Sequence, residues 1–188
     1  MTAVICFFYF LFLSAGAGLI YWRRGPDWAF DPLALPGEGW PVHLLVSLLF
    51  VLLIHLLSLY AVKTWPSFSR SAGELRQWLG TLPHGKIFVI ALASGIGEEV
   101  FFRGWLLNET GMFISSLIFG LVHMPPSRNW MYWPFFAFFM GLGLGWLCIW
   151  TETLFYAIFI HVAINYVNIL RLPHLEGAAG EGEKGVVE

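Results

Sequence analysis

The chain has 188 residues, of which 58% are hydrophobic, 18% aromatic and only 12% charged, against about 25% charged in a typical soluble domain. With a mean hydropathy of +0.71, a water-soluble globular fold is nearly excluded, because apolar runs of about 20 residues need lipid around them. A net charge of -2 and a pI near 6.3 give no basic surface for nucleic acid, and Cys6 and Cys148, both inside apolar runs, build neither a disulfide framework nor a CxxC metal site.

Apolar stretches bounded by charge, Pro or Trp predict six spans, at 4–22, 42–62, 87–107, 112–124, 131–150 and 153–170. The expected fold is all-α, a polytopic transmembrane helical bundle forming one integral-membrane domain over 1–175 with a motif-bearing core at 87–170. The first run carries a small-x-small sequence, Ala15-Gly16-Ala17, like a signal-peptide cleavage site. No basic residue precedes it, however, and Arg23-Arg24 stand on the wrong flank, so it reads as a retained span. In the second span His43 and His55 lack a partner motif and read as packing or interfacial residues. Residues 66–86 form the longest polar connection, with room for a short interfacial helix around Glu74 to Trp78.

The fourth span is short and stops at Pro125-Pro126. Non-helical backbone at membrane depth is tolerated where it lines protein or a wet cavity, so water access to His123 is expected. Gly141, Gly143 and Gly145 in the fifth span read as a close helix-packing surface, and the Phe-rich stretch 135–139 as lipid-facing or core. Trp22, Trp40, Trp65, Trp130, Trp133 and Trp150 fall at span ends, where an amphipathic ring prefers the headgroup region. The tail 176–188 is rich in Gly and Glu and is expected to be disordered. With alternating spans, one side holds Lys63, Arg70, Arg76, Lys86, Arg128, Arg171 and Lys184 against Arg23 and Arg24 on the other, which puts both termini in the cytoplasm.

Ten of the twelve acidic residues lie in loops, at span ends or in the tail, whereas Glu98 and Glu99 lie inside the third span. A charge at mid-bilayer costs at least about 2.5–3.5 kcal/mol, so an adjacent pair points to function. Arg103, four residues after Glu99, shares its helix face and is the natural partner for it, leaving Glu98 without one. At 1.5 Å of rise per residue, Glu98, His123 and Asn165 lie about 17–18 Å, and His161 about 12 Å, into their spans. In a slab about 30 Å thick three helices thus carry a carboxylate, two imidazoles and an amide to nearly one level. The run Ala93-Ser94-Gly95-Ile96-Gly97 before Glu98 lets neighbouring helices approach closely.

In order along the chain, Glu98 to Arg103 reads EExxxR, Phe119 to His123 reads FxxxH, and His161 to Asn165 reads HxxxN. This pattern resembles the CPBP family of intramembrane proteases, which includes CAAX endopeptidases and bacterial bacteriocin-processing and immunity proteins. The resemblance covers about residues 87–170. It implies an integral protein of the bacterial inner membrane that hydrolyses a peptide bond of a membrane-anchored protein or peptide with a glutamate-activated water and no cofactor. By matched motif positions, Glu98 is implied as general base, His123 as its partner on the water, and His161 and Asn165 as oxyanion stabilisers. Glu99 and Arg103 are implied as support; Phe119 reads as a core ring steadying the His123 turn.

Two alternatives stand beside this reading. Glu98, His123 and His161 are three candidate ligands for a catalytic zinc with water in the fourth position, although the chain contains no HExxH motif. The same fold could instead act without catalysis, as an immunity or scaffold protein. A transporter with buried carboxylates would be expected to show internal two-fold similarity, and the sequence shows none. The chain is short and lacks a large substrate-binding extension, so prenylated CAAX specificity is not assumed.

Overall fold

A computed structural model of the chain describes residues 2–24, 27–124 and 131–172. Among them are seven α-helices and one π-helical segment, with no strand: α1 (Thr2–Arg23), α2 (Trp40–Thr64), α3 (Pro66–Leu79), α4 (His84–Glu99), the π-helical Val100–Leu106, α5 (Leu107–Val122), α6 (Trp133–Thr151) and α7 (Phe155–Arg171). This is the helical membrane bundle expected from the apolar runs. Four stretches are long and apolar enough to cross a membrane, Thr2–Arg23, Trp40–Thr64, His84–Val122 and Trp133–Thr151, and α7 is apolar but shorter. Residues 173–188, including the acidic tail, and the Pro125-Pro126 stop lie outside the described residues.

The stretch His84–Val122 has 39 residues, which at 1.5 Å each would reach nearly 60 Å if straight. It does not run straight. At Gly111, with φ 81° and ψ 165°, the backbone adopts a conformation essentially confined to glycine. The rest of α5 then returns along the π-helical segment, so that Phe102 packs edge-on to Phe119 with centroids 4.9 Å apart. The third and fourth expected spans are therefore the two arms of one helical hairpin.

The π-helical segment begins immediately after Glu98-Glu99 and was not foreseen from the sequence. Its wide turn is visible at the Leu107 N–H, which donates to the Phe102 carbonyl five residues back. Side chains from the returning arm and the turn supply further donors: Ser115 Oγ to the Phe102 carbonyl at 2.9 Å, Asn108 Nδ2 to Gly104 at 3.0 Å and Thr110 Oγ1 to Leu106 at 2.8 Å. In a region without water, such donors satisfy backbone groups that a widened helix leaves poorly paired.

Small residues set how closely the helices approach, as the sequence suggested. A Cβ on Gly97 would meet the Tyr9 carbonyl oxygen of α1 at 2.6 Å, one on Gly16 would meet the Phe101 backbone at 2.9 Å, and one on Gly95 would meet Val162 Cγ2 of α7 at 2.5 Å. Gly141 and Gly145 do the same for α6 against Ser116 and Met112 of α5, while Gly143 faces the Phe50 ring of α2. Between α6 and α7 the core is Leu144, Leu147, Cys148, Tyr156, Ala157 and Ile160. The outer face of α2 exposes Leu45, Leu48, Leu49, Leu52, Leu53 and Leu56, the composition of a surface in contact with lipid tails.

The polar connection holds a longer helix than expected, since α3 runs from Pro66 to Leu79. Pro66 occupies its first turn, where no backbone donor is needed, and Phe68 stacks on Tyr132 with centroids 3.6 Å apart. At the opposite end Arg23 pairs with Glu109 at 3.1 Å and Arg24 pairs with Asp31. His43 packs between Trp150 and Tyr156, the packing role expected of it. Trp22, Trp40, Trp65 and Trp150 are exposed at helix ends as a belt requires.

Because Val162 closes directly on Gly95, Gly95→Leu should force α4 and α7 apart and cost about 1–3 kcal/mol, the range for overpacking a tight contact. Gly85, at which an added Cβ meets nothing within 4 Å, provides the control: thermal unfolding in detergent should show a lowered midpoint for Gly95→Leu and none for Gly85→Ala.

Candidate active site

Glu98 and Glu99 end α4, and successive positions on a helix face different directions. Glu99 points into the bundle and is fully buried. Its Oε1 accepts from Arg103 Nη1 at 2.9 Å, the pairing predicted from their spacing, and also from His161 Nδ1 at 2.7 Å. Arg103 is itself 1% exposed, and its guanidinium carbon lies 4.1 Å from the Phe119 ring centroid, a cation–π contact that covers one face of the charge. Phe119 is thus a core ring, as expected, but it steadies the arginine as well as the His123 turn.

Glu98 faces a cavity of about 210 Å³ lined also by Tyr9, Phe119, His123, Trp133, His161 and Asn165. Its Oε2 is buried with no hydrogen-bond partner among the described residues. It stands 3.7 Å from His123 Nε2 and 3.8 Å from His161 Nε2, both beyond a direct hydrogen bond. Three helices, α4, α5 and α7, bring Glu98, His123, His161 and Asn165 to one cavity.

The other ring nitrogens are anchored. His123 Nδ1 lies 2.6 Å from the Phe119 carbonyl oxygen, and His161 Nδ1 lies against Glu99. Both neighbours are pure acceptors, so each Nδ1 must carry the proton, leaving Nε2 to face the cavity. Asn165 is fixed by donation from Nδ2 to Ser94 Oγ at 2.9 Å, and Ser94 in turn donates to the Ala91 carbonyl at 3.1 Å. The remaining amide hydrogen of Asn165 is left for a cavity ligand.

The family comparison coincides with this geometry. Residues 80–167 match the family described as Rce1-like, type II CAAX prenyl endopeptidase Rce1-like. The match falls on the residues that carry the three motifs. This family is one of peptidases, which agrees with the resemblance read from the three motifs. The chain is also 26% identical to the uncharacterized protein YpbD of Bacillus subtilis (strain 168), over 84% of this chain and 81% of that protein. No solved structure is a significant match.

The matched residues begin at 80, well after α1, yet α1 contributes Tyr9, which lines the cavity with Glu98. Sequence reading missed Tyr9 because a lone phenol in an apolar run is indistinguishable there from a packing ring. Trp133 is a correction. Expected in the headgroup belt, it lines the cavity and faces His123 with centroids 6.4 Å apart, because it starts α6 beside the His123 turn.

Glu98, His123 and His161 are the donors that a catalytic zinc would need. Three ligands at about 2.0–2.1 Å in a tetrahedron lie about 3.3–3.4 Å from one another, shorter than both separations from Glu98. Among the described residues no group of three His, Cys, Asp or Glu is placed to hold a metal ion.

The Glu99 ion pair predicts a stability test. Arg103→Met leaves a buried carboxylate uncompensated and should cost about 3–5 kcal/mol. Glu99→Gln combined with Arg103→Met removes both charges and should recover part of that loss, measured as unfolding midpoints of the purified proteins.

Proposed function

We propose that this protein is an intramembrane endopeptidase that hydrolyses a peptide bond of a membrane-anchored protein or peptide, using a water activated by Glu98 and His123. The observation that supports it is the convergence of Glu98 Oε2 with two Nε2 atoms at 3.7 and 3.8 Å, a spacing that suits a water held by hydrogen bonds between them. In this reading the water donates one proton to Glu98 and is aligned by His123 as its lone pair attacks the peptide carbonyl. Glu98 then carries that proton toward the leaving amine, as a general base turned acid.

The oxyanion that develops on the carbonyl needs donors. Asn165 has a free amide hydrogen, and His161 supplies one from Nε2 when the ring is an imidazolium. Charge balance favours that form: Glu98, Glu99 and Arg103 sum to one negative charge in a low-dielectric setting, and one proton brings the cluster to neutrality. On His161 that proton lies against both carboxylates, 2.7 Å from Glu99 and 3.8 Å from Glu98. Glu99 and Arg103 serve as support for the ring and do not touch substrate. The reaction uses no cofactor, and the protein belongs in a bacterial cytoplasmic membrane with both termini inside.

Membranes from cells carrying Glu98→Gln or His123→Ala should accumulate an uncleaved membrane precursor, seen by profiling of peptide termini, with processing at least about a hundredfold slower than wild type. Asn165→Ala should slow it by about a hundredfold or more, the usual effect of one oxyanion donor. Processing at the wild-type rate in both Glu98 and His123 variants would instead favour a non-enzymatic immunity or scaffold role.

Chelation provides a separate check on chemistry. Purified protein depleted of metal by chelation should keep its activity; loss in proportion to metal removed, restored by added zinc, would replace the glutamate mechanism by the zinc one.

A further inference from the structure

The functional reading leaves open what orients Glu98 itself. Its neighbour Glu99 is fixed by Arg103 and His161, but among the described residues Glu98 Oε2 has no donor, and both imidazoles stand beyond hydrogen-bond range. A carboxylate on a helix can rotate about its terminal bonds, and a base that rotates is not held over a water.

Helix α1 supplies the missing restraint. Within its run Phe7, Phe8, Phe10 and Leu11 are exposed on the bundle surface, whereas Tyr9 is half-buried and turned into the cavity beside Glu98. Both side chains line that cavity, which makes the Glu98 carboxylate the nearest charged acceptor the cavity offers its hydroxyl. A phenol turned inward from an apolar span needs such a partner. The seat is also fixed through the backbone. The Tyr9 carbonyl oxygen lies where the Cβ of any larger residue at position 97 would fall, 2.6 Å from it. The residue adjacent to Glu98 in sequence thus sets the distance at which Tyr9 reaches Glu98.

We propose that Tyr9 is a positioning residue for the reaction: its phenol donates to Glu98 from the α1 side and holds Oε2 toward His123 and His161, with Gly97 as the notch that admits it. The proposal rests on Glu98 being the base. It extends the site beyond the Rce1-like residues 80–167 into the first span. A neutral donor suits this place, since it fixes the carboxylate without adding a charge to a cluster that one proton already neutralises.

The test uses the full chain in lipid bilayers and reads Glu98 directly. Infrared difference spectra of wild type against Glu98→Gln assign the Glu98 carboxyl band without any substrate. Tyr9→Phe keeps the ring and its packing while removing the donor. It should move that band and slow processing of the precursor that accumulates in Glu98→Gln membranes by about tenfold, the rate equivalent of one hydrogen bond to a charged group. The apparent affinity for that precursor should be unchanged, because the phenol acts on the base and not on the substrate. An unmoved band overturns the proposal, and so does a moved band with wild-type processing or a change in apparent affinity alone. Failure of the peptidase reading is distinguishable: no precursor would accumulate in Glu98→Gln membranes, while the band would still report whether Tyr9 holds Glu98.

Discussion

The site depends on one buried carboxylate oxygen. Glu99 Oε1 accepts from Arg103 Nη1 at 2.9 Å and from His161 Nδ1 at 2.7 Å, so a single atom joins the π-helical segment to α7. Either partner alone would leave a charge or an imidazole unrestrained in a medium that penalises both. With both present, the arginine offsets the carboxylate and the carboxylate fixes the histidine. The orientation of His161 Nε2 toward Glu98 follows from that anchor, as a carboxylate behind an imidazole fixes ring and tautomer elsewhere.

The rest of the bundle brings the pieces within reach of that atom. Gly95 lets α7 approach α4, Gly97 admits α1, and Gly111 turns α5 back so that its end delivers His123 to the same level. The π-helical turns after Glu99 give the chain the width at which Ser115 can reach the Phe102 carbonyl across the hairpin. Without a hydrophobic force between helices in lipid, such close contacts and interhelical hydrogen bonds have to supply the cohesion. The small residues and the buried polar side chains are therefore parts of one device: the first permit close approach, and the second bond across it.

Much of this was legible in the sequence, for a specific reason. A membrane chain segregates charge so strongly that Glu98, Glu99 and Arg103 stood out by depth alone, and their i,i+4 spacing predicted the ion pair the structure contains. The common level of His123, His161 and Asn165 was likewise a matter of counting helical rise. What counting could not supply was lateral direction. Tyr9 and Trp133 differ from belt or packing aromatics only in the way they face, which is set by the tilt and contact of helices far apart in sequence. The second bond of Glu99, to His161 rather than to Arg103 alone, was hidden for the same reason, since 62 residues separate the partners. The π-helical segment left no signature, because its composition is that of any apolar helix.

The claim on which the account turns is that Glu99 holds His161 through a protonated Nδ1. Solid-state nitrogen NMR of histidine-labelled protein in bilayers, with His161 assigned by its loss in His161→Gln, measures it. The account predicts a hydrogen-bonded, protonated Nδ1 on His161, whose signal shifts when Glu99 is replaced by Gln. A bare Nδ1 with the proton on Nε2 alone, or a signal indifferent to Glu99, would contradict it.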